Sequence, residues 1–215
     1  MLKLFHLSRG DTLVEVLFAV TVFSMVAVGA LAIMNQGTNI SQRSLETTLV
    51  RQEIDAQAET LRFLHDSYVA AYREGQPSEV SGTPDTPFEQ WQSMVESIKD
   101  TNAASASDFG ATAASCPDPP NGSFILDSRN AVFVAPSEDV LIEADTYAKL
   151  EYDSGGVLNA SKGLWIEAIR SDTNTADPYQ SNIGFIDFHI RACWFGPGDN
   201  VPLTIGTIVR LYEPR

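Results

Sequence analysis

The chain has 215 residues, which is enough for one domain of ordinary size and an anchoring segment. Its hydrophobic content of 44% excludes a disordered chain, because that much apolar side chain can form a core. Its net charge of −14 repels nucleic-acid phosphates, so we expect no broad nucleic-acid-binding surface.

The N-terminal region combines a short basic leader with a long apolar run. Lys3 and Arg9 precede Gly10, and Glu15 is the last charge before residues 16–34, which carry none. About 19 helical residues span ~28 Å, which matches the hydrocarbon core of a bilayer. The positions of the basic residues predict a cytoplasmic N-terminus, with everything after the apolar run outside the membrane.

The helical pattern continues past the apolar run. Apolar residues recur mostly three or four positions apart, as one face of an amphipathic helix requires. These residues are Leu45, Leu49, Ile54, Ala58, Leu61, Leu64, Tyr68 and Tyr72. Because no proline interrupts the pattern before Pro77, we predict one helix of about 60 residues. A secretory signal cleaved near residues 29–32 is the alternative, although such a signal ends in a loop.

Together these features resemble the N-terminal segment of type IV pilins and pseudopilins. The resemblance covers residues 1 to about 70, and the matching residues are Gly10, Thr12, Leu13, Glu15 and the apolar run from Val16. It implies a membrane-inserted precursor that a prepilin peptidase cleaves between Gly10 and Asp11. It also implies that an inner-membrane assembly platform then adds the subunit to a helical filament of pilin subunits on the cell surface.

In this family Glu15 would neutralise the N-terminal ammonium of a neighbouring subunit. A glutamate that reaches the lipid headgroups is the alternative role. Asp11 departs from the family, in which the first mature residue is commonly Phe or Met, and the departure favours a minor subunit. The expected function is therefore a minor pilin for adhesion, motility or DNA uptake. A pseudopilin of a type II secretion or competence system is one alternative, and a single-span envelope enzyme or sensor domain is another.

The sequence divides into five regions by composition and pattern. They are the leader (residues 1–10), the membrane or filament-core helix (11–34), its amphipathic continuation (35–75), a loop with a short helix (76–122) and a β-sheet head (123–215). The short helix has a capping box at its start, with Thr86 as the N-cap, Pro87 in the first turn and Glu89 at the third position.

Alternation of period two replaces the helical pattern in the last region. The predicted strands are residues 123–127, 131–135, 140–144, 148–152, 164–170, 184–194 and 203–212. We expect the last three to form an antiparallel meander against which the long helix packs, since each apolar face then covers the other. The predicted fold class is α+β and pilin-like.

The two cysteines, Cys116 and Cys193, are not part of any C-x-x-C or His/Cys cluster, which argues against a zinc site. In an exported domain we predict a disulfide between them. That bond would close a loop of about 78 residues. Two unpaired buried thiols are the alternative.

No sequence motif indicates catalysis. His189 alternates with Asp187 and Arg191 on one strand face, which we interpret as solvated rather than as a general base with its partners. The polar loop that contains Asp172 and Asp177 lacks the spacing of an EF-hand and reads as a solvated loop. We therefore expect no enzymatic activity, no bound metal and no cofactor.

Overall fold

The computed structural model describes residues 11–75, 83–98, 115–135, 137, 139–170 and 184–213. Its elements are α1 (Asp11–Arg73), α2 (Pro87–Ser97), β1 (Ile125–Asp127), β2 (Val132–Val134), β3 (Leu141–Ile142), β4 (Lys149–Tyr152), β5 (Leu158–Lys162), β6 (Leu164–Arg170), β7 (Phe185–Trp194) and β8 (Leu203–Tyr212). The chain forms two compact units, Met1–Ser44 and Leu45–Arg215. The predicted α+β class, a long helix with antiparallel sheets, is confirmed.

The C-terminal part of α1 contributes one helix face to the core of the second unit. Its buried residues are Val50, Ile54, Gln57, Ala58, Thr60, Leu61 and Leu64. The predicted start of this face was wrong, because Leu45 is 60% exposed. Five residues separate Leu45 from Val50, and five residues rotate a helix by ~140° from the starting direction. Leu45 therefore lies outside the buried face.

The largest sheet is the antiparallel meander β6-β7-β8, as predicted. Its register places Ile166 opposite Ile190, and Phe188 opposite Val209. One face of this sheet is apolar and buried, while the other carries most of the polar side chains. The core therefore lies between the apolar sheet face, α1 and α2, where Trp91 contacts Phe188 at a ring-centroid distance of 5.8 Å.

Two smaller sheets complete the second unit. The predicted strands β1 and β2 pair as an antiparallel hairpin, and a bridge between Phe124 and Ile166 connects its start to β6. Strand β5 was not predicted, yet it lies between β3 and β4 and pairs in parallel with β3. At the start of α2 the predicted capping box is present, since the Glu89 carboxylate accepts the Thr86 N–H at 2.9 Å.

A buried glutamine joins α1 to the first hairpin. Gln57 Nε2 donates to the Leu126 carbonyl at 2.8 Å, and Gln57 Oε1 accepts the Leu126 N–H at 3.0 Å. Its exposure is 0%, so water cannot replace either bond. The side-chain amide thus pairs with Leu126 as a neighbouring strand residue would.

Replacing this glutamine tests the joint directly. Gln57→Leu keeps the volume but leaves two buried backbone groups of Leu126 without partners, so we expect the free energy of unfolding to fall by about 3 kcal/mol. Chemical denaturation of the full chain in detergent, followed by tryptophan fluorescence, measures this change. The matched control is Gln52→Leu, the same substitution at an exposed position of α1. Equal midpoints for the two variants would show that the two bonds contribute nothing.

Candidate functional site

The N-terminal part of α1 carries a large exposed apolar surface. We call residues 16–34 the apolar segment; side chains there are exposed, such as Phe23 at 73% and Met25 at 81%. Within the described part of the chain, α1 is the one helix long and apolar enough to be a candidate membrane span. So large an apolar surface needs lipid or protein to cover it.

The polar side chains of the apolar segment are satisfied within the helix. Thr21 Oγ1 donates to the Phe18 carbonyl and Ser24 Oγ to the Val20 carbonyl, each at 2.7 Å. Hydroxyl groups bonded in this way need no water, so they do not oppose burial in an apolar environment. The segment is therefore suited to a medium without hydrogen-bonding solvent.

Glu15 lies at the N-terminal border of the apolar segment and is exposed. No hydrogen bond or ion pair of its carboxylate occurs in the part of the chain that the structure describes. Asp11, one turn earlier, is the first residue of α1, whereas Gly10 lies outside the described residues. The predicted cleavage site therefore stays a prediction.

The predicted disulfide is present between Cys116 and Cys193, with a Cα–Cα distance of 5.7 Å. It attaches the segment before β1 to β7, where Cys193 is fully buried. A cavity of about 250 Å³ adjoins the bond. Two polar groups in its lining are already occupied, because Ser161 Oγ donates to the Leu164 carbonyl and Trp165 Nε1 to Glu167.

The prediction that the polar face of β7 is solvated was wrong. Asp187, His189 and Arg191 are half-buried rather than solvated. Arg191 Nε lies 3.1 Å from the Glu167 carboxylate, and Asp187 accepts two hydrogen bonds of 2.7 Å from Arg210. These side chains form ion pairs across neighbouring strands, which the sequence pattern of one strand does not reveal.

The electrostatics of this face follow from those pairs. Burial lowers the pKa of His189 below its usual range, and the nearby Arg191 adds to the effect. The hydrogen bonds from Arg210 lower the pKa of Asp187, which therefore stays ionised. Each charged group already has a partner, so the arrangement is structural rather than that of a general base.

Sequence reasoning missed Glu167, whose side chain is fully buried. Its Oε1 accepts a hydrogen bond of 2.7 Å from Trp165 Nε1, in addition to the pairing with Arg191. The available signal was a single acid in the middle of an otherwise apolar strand. The described residues contain no cluster of three potential metal-ligating side chains. The polar loop with Asp172 and Asp177 lies outside them.

No protein-family model, curated protein or solved structure matches this chain. Within the described residues, the exposed apolar segment has no covering surface and Glu15 has no ion-pair partner. Together they form the candidate functional site.

The polar sheet face predicts a pH dependence of stability. Folding lowers the pKa of His189, so the unfolded chain binds the histidine proton more readily than the folded chain. The free energy of unfolding therefore decreases as the pH falls below about 6.5. We expect His189→Gln to lose less stability than the parent chain between pH 7.5 and pH 5.5. Thermal unfolding of both full chains at the two pH values measures the difference. Parallel losses would assign the pH effect to other groups.

Proposed function

We propose that this chain is a minor pilin or a pseudopilin, a subunit that functions through assembly rather than catalysis. In this proposal the apolar segment holds the precursor in the membrane, with the N-terminus in the cytoplasm and the head outside. A prepilin peptidase cleaves after Gly10, and an inner-membrane platform transfers the subunit into a filament. Adhesion, motility and DNA uptake are functions such a filament serves, and a pseudopilin would serve secretion or competence.

The observation that carries the proposal is the continuous exposure of the apolar segment on a helix that also contributes to a folded core. A permanent anchor needs only an apolar span. Here Glu15 borders the N-terminal end of the span. Inserting a carboxylate into the membrane costs up to ~3 kcal/mol of free energy at the centre of the bilayer and less near a helix end. A carboxylate at this position is explained more economically if a cation of another subunit meets it.

The pairing also sets how neighbouring subunits would be staggered. Cleavage after Gly10 would create an ammonium on Asp11, four residues before Glu15. Four residues of α-helix correspond to ~6 Å along the axis. Two parallel helices that pair ammonium with carboxylate are therefore displaced by about one turn. A subunit with another displacement would lose the ion pair in an apolar medium, where such pairs are strongest.

Cleavage is the most direct test. Intact-mass measurement of the protein from its own membranes should show a chain that begins at Asp11. A chain that retains residues 1–10 would exclude the pilin proposal and support a single-span envelope enzyme or sensor domain. The measurement on a strain without the peptidase is the control, since the full precursor should accumulate there.

The role of Glu15 has a separate test. We expect Glu15→Gln to insert into the membrane and to be cleaved, but to be lost from the sheared filament fraction because the charge pair is absent. Immunoblotting of membrane and sheared fractions measures the partition. Glu59→Gln is the matched control, since this glutamate lies on α1 and its side chain is 74% exposed. Normal incorporation of Glu15→Gln would remove the pairing role while leaving the cleavage result intact.

A further inference from the structure

The outer edge of β8 has unpaired backbone groups. In an antiparallel ladder, residues alternate between those bonded to one neighbour and those that point away from it. Glu213 N donates to the Gly184 carbonyl at 2.9 Å, so the odd-numbered residues of β8 face β7. The N–H and C=O groups of the even-numbered residues therefore point outwards. These residues are Thr204, Gly206, Ile208, Arg210 and Tyr212.

One contact supports this assignment and also limits the open edge. The Tyr212 carbonyl lies 2.8 Å from His65 Nε2 of α1, so the end of the edge is closed. The outward backbone groups from Thr204 to Arg210 have no hydrogen-bond partner within the described residues. All four even-numbered residues there are exposed. The open edge consequently spans residues 204–210.

Common protections of an edge strand are missing from this one. The register with β7 is continuous, without a bulge, and residues 203–212 contain no proline and no lysine. The single charge of β8 is Arg210, whose guanidinium is neutralised by Asp187. An edge of this kind is a template for another strand.

The acidic residues of the chain limit where two copies can meet. The chain carries 28 acidic and 14 basic residues, so two copies repel each other over most of their surfaces. Residues 201–212 contain no acid. Two copies that meet at this edge bring no acidic residue of either β8 strand into contact. Ile208, which is 60% exposed, offers apolar surface there.

We propose that the outer edge of β8 binds the same edge of a second copy of this chain, antiparallel and about a two-fold axis at Ile208. Each Ile208 then lies opposite its counterpart, and each Arg210 opposite the Gly206 of the other copy. The pairing joins two three-stranded sheets into one of six strands. A two-fold axis at Arg210 would instead place like charges opposite each other, which is unfavourable.

Cysteine cross-linking in the full chain tests this geometry. Both native cysteines are occupied by their disulfide, so an added cysteine is the single available thiol. Residues directly opposite in a hydrogen-bonded antiparallel pair have Cα atoms about 5.5 Å apart, which is within disulfide range. We expect Ile208→Cys, oxidised in its own membrane, to give a dimer band on a non-reducing gel that reductant removes.

Two exposed positions provide matched controls. Val157 lies in the turn between β4 and β5 and is 59% exposed. Val157→Cys should give no dimer. Thr204→Cys lies on β8 itself, but in the proposed register it is eight residues, or ~27 Å, from its counterpart. It should also remain monomeric.

The outcomes separate cleanly. Absence of an Ile208→Cys dimer, or equal dimer yields at Ile208 and Val157, overturns the pairing. Equal yields at Ile208 and Thr204 overturn the two-fold register. Peptide mapping of the Cys116–Cys193 bond in each variant verifies that the head is folded. Neither outcome bears on Glu15 or on cleavage after Gly10, so the proposed function is tested independently.

Discussion

The two hydrogen bonds between Gln57 and Leu126 connect parts of the head that have no shared backbone ladder. A helix satisfies its own backbone groups, so it can attach to a strand only through side chains. Gln57 supplies one donor and one acceptor at the spacing of a peptide group. Because Phe124 bridges to Ile166, the same connection extends from α1 through the first hairpin to the largest sheet.

The sequence predicted the elements in which apolar residues recur at a regular spacing. The long helix and the meander have uniform apolar repeats, and the disulfide followed from the presence of two cysteines in a domain expected to be exported. Strand β5 escaped prediction because its sequence, L-N-A-S-K, has no clear alternation. Its Ser161 is fully buried and is satisfied by the Leu164 carbonyl, a contact that depends on the fold of the following turn.

The sequence predicted the candidate site better than it predicted the polar sheet face. Glu15 stands out in the sequence because an acid borders a long uncharged run. The pairing of Glu167 with Arg191 joins residues 24 positions apart, and the pairing of Asp187 with Arg210 joins residues 23 positions apart. Such contacts depend on strand register, which alternation within one strand does not determine. The sequence therefore indicated the charges but not their partners.

Glu15 and Glu167 represent the same physical problem with different solutions. Each is a carboxylate among apolar residues, and Glu167 obtains an indole and a guanidinium from its own sheet. On α1 the first basic residue after Glu15 is Arg43, ~42 Å further along the helix. The ammonium that cleavage after Gly10 would create lies one turn away instead. A neighbouring helix displaced by about one turn would bring its own ammonium to Glu15, so cleavage and assembly would together supply the missing counter-charge.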